Sequence, residues 1–160
     1  MVTKQGSLEL LKDPIAQHLL TSTTPARLAY VGQDGLPRVV PIWFHWNRDE
    51  LVVSSPPKSP KVRALAARPH VALTIDTSSE PYRSLQIRGT AAVQKEKGIP
   101  PEYAMAAERY YGVEQGKAWV AQVSALFDEF ARITITPQWV SLMDFETRFP
   151  NAFELAMAAG

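Results

Sequence analysis

The residues of this chain whose types and spacing could do chemistry are gathered between Ser54 and Arg68. Ser54, Ser55 and Ser59 bring hydroxyls, and Lys58, Lys61, Arg63 and Arg68 bring cations. No Asp or Glu occurs from Leu51 to Ile75 to balance them. Ser59 stands at a helix N-cap position with Pro60 at the first helical residue and Pro69 beyond the end, so a short helix is expected over Lys61 to Ala67. Lys58 and Lys61 then lie at the positive end of the helix macrodipole, where each cation is disfavoured by roughly 0.3–1 kcal/mol. A serine hydroxyl, a lysine and free backbone N–H groups at one helix start form a phosphate site. The alternative is that both lysines project into water.

The strands that must position this turn flank it. Val39 to Trp46 reads as one long strand and Leu51 to Ser54 as a second, joined at Asn47-Arg48-Asp49. Asp34-Gly35 is a hairpin signal of type I′ chemistry, with positive φ expected at both residues, folding Ala26 to Val31 back on Leu36 to Trp46. The long strand alternates Val40, Ile42, Phe44 and Trp46 against Val39, Pro41 and Trp43, so cover is expected on both faces. Pro41 cannot donate to a ladder, which marks an edge, a bulge or a flat cofactor alongside.

Before this lies a helix from Pro14 to about Thr21, capped by Asp13. After it, His70 to Asp76 and Tyr82 to Gln94 alternate as half-buried strands, with Gly89 marking a bend. A helical insertion over residues 101–127 comprises one helix from Pro100-Pro101 to Gly112, carrying Tyr103, Ala107, Tyr110 and Tyr111, and a second from Gly116 to about Phe127 with Trp119 and Val123 on one side. Phe130 to Thr136 and Trp139 to Phe145 read as two last strands separated by Pro137, and the tail from Arg148 is apolar enough to dock on a neighbour. Six or seven mostly antiparallel strands with three or four helices indicate a mainly β (α+β) small barrel in one domain, 1–160.

Composition narrows the function. The 160 residues are 46% hydrophobic and 21% charged, ordinary for a globular domain, and the net charge of +1 gives no whole-molecule field for nucleic acid or anionic membrane. Without cysteine there is no disulfide, thiolate metal site or thiol nucleophile, and the three histidines, His18, His45 and His70, lack metal-ligand spacing. No run is long enough to span a bilayer and Met1 to Gln5 opens no signal-peptide pattern, so a cytoplasmic protein is expected.

The ordered set of the D-G hairpin, R-V-V-P-I-W-F, a strand ending in Ser-Ser, S-x-K-V-x-x-L, R-P-x-V-A-L-T-I-D and I-R-G-T-A resembles the pyridoxamine 5′-phosphate oxidase-like family, over about Pro25 to Val93 in detail. The resemblance implies a six- to seven-stranded antiparallel split β-barrel with flanking helices, binding FMN or, in one branch, the deazaflavin F420. It implies a cofactor strand at Arg38, Val39, Val40, Pro41, Ile42 and Trp43, with Arg38 near the phosphate. Ser54 and Ser55 would meet the phosphate and ribityl chain, and Ser59 and Lys61 would grip the phosphate. Pro60 stands where relatives often have arginine. Ser84 and Gln86 would approach the ring, often from across a homodimer interface.

The arginine- and tryptophan-containing C-terminal signature of true pyridoxamine phosphate oxidases is not reproduced in Trp139 to Gly160. The implied activity is therefore hydride transfer with a small organic substrate by FMN, or by F420, rather than vitamin B6 metabolism. No residue reads as a dedicated catalytic group. His45 and Tyr82 are candidates for proton delivery, and Trp43 either stacks on a ligand or packs in the core. Two other classes remain: a flavin or haem carrier without turnover, and a nucleic-acid binder, which the charge disfavours.

Overall fold

The computed structural model describes residues 3–160, so the single-domain reading of 1–160 and the reading of Met1 to Gln5 extend over Met1 and Val2, which lie outside the described residues. After a 3-10 turn at Leu8–Lys12, helix α1 spans Pro14–Thr21, with the Asp13 carboxylate accepting from the Ile15 N–H at 2.9 Å. Strands β1 (Ala26–Val31), β2 (Pro37–Ile42), β3 (His45–Trp46) and β4 (Leu51–Ser55) precede α2 (Pro60–Ala67). Then come β5 (His70–Asp76), β6 (Ser84–Lys97), α3 (Pro101–Tyr111), α4 (Val113–Leu126), β7 (Glu129–Met143) and α5 (Asn151–Ala158).

The strands form one antiparallel sheet in the order β2-β1-β5-β6-β7-β4-β3. The expected long strand from Val39 to Trp46 is thus two strands at opposite ends of that order, separated only by Trp43 and Phe44. A link from residue 42 to residue 45 reaches roughly 10 Å at full stretch. The two outer strands must therefore lie close together, and the sheet curls into a split barrel. Leu28, Leu51, Val53, Ile75, Leu85, Ile87, Ile133, Ile135, Val140 and Leu142 fill its interior.

Other departures from the sequence pattern have local causes. At the Asp34-Gly35 turn only Gly35 has positive φ, +80°, because the Asp34 carboxylate accepts from the Leu36 N–H and the Gly35 N–H bonds the Gly32 carbonyl. Double cover of β2 does not occur among the described residues: Val39 is 67% exposed. Pro41 sits on the edge strand opposite Arg27, where its missing N–H costs nothing. The last two expected strands are one, β7, which runs through Pro137 because the register shifts there opposite Gly89. A Cβ on Gly89 would lie 2.3 Å from the Thr136 carbonyl oxygen, so only glycine fits the bend. Helix α4 begins at Val113 rather than Gly116, and α5 has no buried residue, leaving Phe153, Leu155 and Met157 exposed.

Candidate functional site

The turn between β4 and α2 is built as the sequence pattern requires, with one change. The Ser59 N–H bonds the Pro56 carbonyl, closing the turn that starts α2. The Ser59 hydroxyl makes no capping bond; it accepts from the Ser55 hydroxyl at 2.9 Å, which leaves its own proton free to donate and leaves the first helical turn without a side-chain cap. The first turn holds no acid. Lys61 is half-buried, has no ion pair among the described residues, and burial lowers its pKa below the ordinary lysine value. The Ser54 hydroxyl oxygen is buried without a partner. A half-buried amine and an orphaned hydroxyl on either side of one turn fit an anionic group.

Arg38 is placed differently from expectation. Its guanidinium is paired with Asp34 at 2.6 Å, on the exposed side of a depression that also includes Gly32 and Pro60. The Arg38 hydrogen bond also holds the Asp34 carboxyl below its usual range. Arg38 thus approaches the start of α2, but with its charge already engaged.

Pro41, Ile42, Trp43 and Ser54 line a second depression, about 230 Å³ in volume, together with Tyr103, Tyr111 and Trp119. Trp43 lies flat on Tyr110 at 5.1 Å between ring centres, edge-on to Tyr111 at 4.9 Å and tilted to Tyr103 at 6.0 Å. Of the two readings of Trp43, packing is realised through Tyr110, while the residue also lines open space. The Trp119 indole N–H donates to the Tyr103 hydroxyl at 2.9 Å, and Tyr111 meets Trp119 edge-on.

The helical pair that supplies these rings is anchored by two arginines. Arg109 donates to the Ser22 carbonyl at 3.0 Å and to the Phe44 carbonyl, and its guanidinium lies over the Phe44 and Tyr110 rings. The backbone break at Trp43-Phe44 is thereby given a partner that no strand provides. Arg132, paired in register with Ser54, holds Glu102 at 2.6 Å and keeps that carboxyl below its usual range. The other Glu102 carboxylate oxygen is buried and unpartnered. His45 lies within electrostatic reach of Arg109 and Glu102, and burial, then Arg109, lower its pKa. Tyr82 packs on Phe145 and does not line the aromatic depression.

Val39 and Gln86 meet on the outer sheet face in a third depression, about 240 Å³, with Ala72, Arg88 and Trp139. Val40 is partly buried against the core. Ser84 shares Gln86's face by strand alternation but is buried. The sequence-predicted residues therefore fall into an anion turn (Ser55, Ser59, Lys61), an aromatic depression (Pro41, Ile42, Trp43, Ser54) and an outer face (Val39, Gln86). Sequence reasoning missed Tyr103, Tyr111, Trp119, Glu102 and Arg109. Their signal was the concentration of Tyr and Trp in one helical insertion, which reads equally as a packing face.

A family model described as Pyridoxamine 5'-phosphate oxidase matches residues 13–144. The chain belongs to this family. Among solved structures, an F420 reductase is 27% identical, covering 78% of this chain and 94% of its own, with a TM-score of 0.60. A conserved hypothetical protein from Mycobacterium tuberculosis is 20% identical over 90% of this chain and 91% of its own, at a TM-score of 0.67. The haem storage protein HutZ from Vibrio cholerae is 16% identical over 82% and 93%, at 0.60. No curated protein sequence matches the chain. Family membership brings FMN- or F420-type cofactors into consideration, and the anion turn suits the phosphate of either.

Proposed function

We propose that this chain is an FMN-binding oxidoreductase that transfers hydride to or from a small organic substrate and is not a pyridoxamine phosphate oxidase. Lys61 carries this reading: an amine half-buried at a helix start, with no acid beside it, is an unbalanced charge that a phosphate would balance. Ser59 would add a hydroxyl donor and Ser54 a second, while the β2 backbone near Pro41 to Trp43 would border the ring. When bound, the flavin supplies the hydride chemistry; the chain supplies orientation and an apolar wall. Lys61 offers the same charge to the phosphate of FMN and to that of F420, and FMN is kept as the first reading. The similarity to an F420 reductase favours F420 as the second reading.

The same proposal includes one domain and a homodimer with the cofactor between subunits. Exposed Val39, Ala72 and Gln86 beside Trp139 leave an outer sheet face that a second copy would cover, which would restore the double cover the strand pattern calls for. Light scattering of the cofactor-saturated protein should report a dimer; a monomer would remove Gln86 and Ser84 from the site.

Side-by-side titrations with FMN and F420 test the cofactor. Micromolar FMN binding is expected. F420 binding without measurable FMN affinity reverses the choice, and a Soret band in the freshly purified protein, with neither flavin bound, replaces the enzyme by a carrier.

A further inference from the structure

A groove of about 800 Å³ separates the N-terminal segment from α5 and shares no residue with the anion turn or the aromatic depression. One wall is the stretch from Thr3 to Gln5, and it is fixed in place. The Gln5 amide donates to the Leu142 carbonyl at 2.6 Å and accepts from the Leu142 N–H at 2.9 Å, and the Gly6 N–H donates to the Val140 carbonyl, so the segment is laced to β7. Thr147 and Phe149 continue the lining from a loop that is equally fixed. There the buried Asp144 carboxylate accepts from the N–H groups of Glu146, Thr147 and Arg148, and Arg148 pairs with Asp13 at 2.7 Å. The other wall is one face of α5, on which Asn151, Glu154, Leu155 and Ala158 recur at helical spacing.

That face covers nothing. Leu155 is 72% exposed and α5 has no buried residue, although a helix of eight residues is marginal in water without packing. The apolar lining is Phe149, Leu155, Met157 and Ala158, with only one ring among them, so aliphatic contact outweighs stacking. Charge sets the polarity. Lys4 is the only cation in the lining and has no ion pair among the described residues, whereas the Glu154 carboxylate is engaged by the Phe149 N–H at 3.1 Å and by its place in the first turn of α5. Helix α5 carries no Lys or Arg, unlike helices that lie on an anionic bilayer.

We infer that this groove binds a straight-chain aliphatic carboxylate from solution, its chain lying along Phe149, Leu155 and Met157 and its carboxylate meeting Lys4. The apolar face runs the length of α5, roughly 12 Å, which suits an extended chain better than a ring. Bound, the chain gives α5 the packing that the protein itself does not supply. The inference is independent of the oxidoreductase reading, because the groove uses none of the residues assigned to the cofactor.

Decanoate below its micelle concentration serves as the probe, with hexanoate as the short and decylammonium as the charge-reversed comparison. Calorimetric titration of the intact protein should show decanoate binding roughly tenfold or more tighter than hexanoate, because each buried methylene adds affinity, and decylammonium weaker than decanoate. Lys4→Gln should weaken decanoate roughly twofold to fivefold, as expected for an exposed ion pair. Leu155→Gln, at a position that packs on nothing, should weaken it roughly tenfold while melting temperature and FMN affinity stay unchanged. Decanoate that does not bind, binds no tighter than either comparison, or binds Leu155→Gln as well as wild type overturns the inference. Two further outcomes overturn it by naming another occupant. If Leu155→Gln splits a dimer in light scattering and decanoate does not bind, a second copy fills the groove; if phosphatidylglycerol vesicles capture the protein through Leu155 and decanoate does not bind, the face is a membrane contact. Decanoate binding as expected with neither FMN nor F420 bound leaves the groove standing and sinks the cofactor reading.

Discussion

The anion turn and the aromatic depression meet at Ser54-Ser55 and are assembled in opposite ways. The turn is made by seven consecutive residues, Ser55 to Lys61, closed by the Ser59 N–H on the Pro56 carbonyl and by the Ser55–Ser59 hydroxyl pair. The depression draws on β2, the Trp43-Phe44 break, β4 and both helices of the insertion, so its walls exist only once distant segments have packed. One region presents a charge without a partner; the other presents rings that already partner one another. A ligand gains most from the first by neutralising it and most from the second by shape. Changes in the turn should therefore act through charge, and changes in the depression through shape.

The sharpest way to break this separation is Lys61→Ala. Removing a cation from the positive end of a helix should leave the apoprotein as stable or slightly more so. Loss of the charge-assisted bond to phosphate should weaken FMN on the order of tenfold to a hundredfold. Thermal melting and FMN titration on one preparation check it, and unchanged FMN affinity removes the anion site.

Gly116→Ala addresses the other region. A Cβ there would lie 2.7 Å from the backbone of Glu108 on α3, so α3 and α4 must part. Overpacking of this kind costs about 1–3 kcal/mol. A lowered melting temperature is expected, with a loss of FMN affinity smaller than that of Lys61→Ala after correction for unfolded protein. A loss of FMN affinity matching that of Lys61→Ala would show that the two regions are one.

Arg38→Ala should have a smaller effect than the family resemblance alone implies. Arg38 is tied to exposed Asp34, and pairs of this kind contribute about 0–1 kcal/mol. A shift in FMN affinity of less than about fivefold is expected. A loss matching that of Lys61→Ala would mean that Arg38 leaves Asp34 for the phosphate.

The smallest effect is in pH dependence. Lys61 titrates lower in the folded apoprotein than in the unfolded chain, so between its folded pKa and the ordinary 10.5 the unfolded state binds more protons. Stability contributed by this group therefore rises with pH in that window, and the stability gap between Lys61→Ala and wild type should close as pH approaches 10.5. FMN binding should weaken over the same window as the amine loses its charge. Denaturant midpoints and titrations at stepped pH measure both. A gap that does not change with pH would mean that burial does not strain the charged amine.

What the sequence determined by itself is whatever depends on neighbours a few residues apart. Asp13-Pro14 and Ser59-Pro60 start helices, Gly112 ends one, and strict alternation in His70–Asp76 reports one buried face, because capping, proline geometry and side-chain period are local. The family motifs, and with them the turn between β4 and α2, were legible for the same reason. Tertiary structure decided how the apolar run from Val39 to Trp46 is divided, because closure of the sheet sends its two halves to opposite edges and Arg109, far along the chain, satisfies the break. It also decided that Arg38 belongs to Asp34 and that Tyr103, Tyr111 and Trp119 face Trp43. Helical spacing shows that such rings share a side of a helix; only packing determines whether that side is filled by the chain or left open for a ligand.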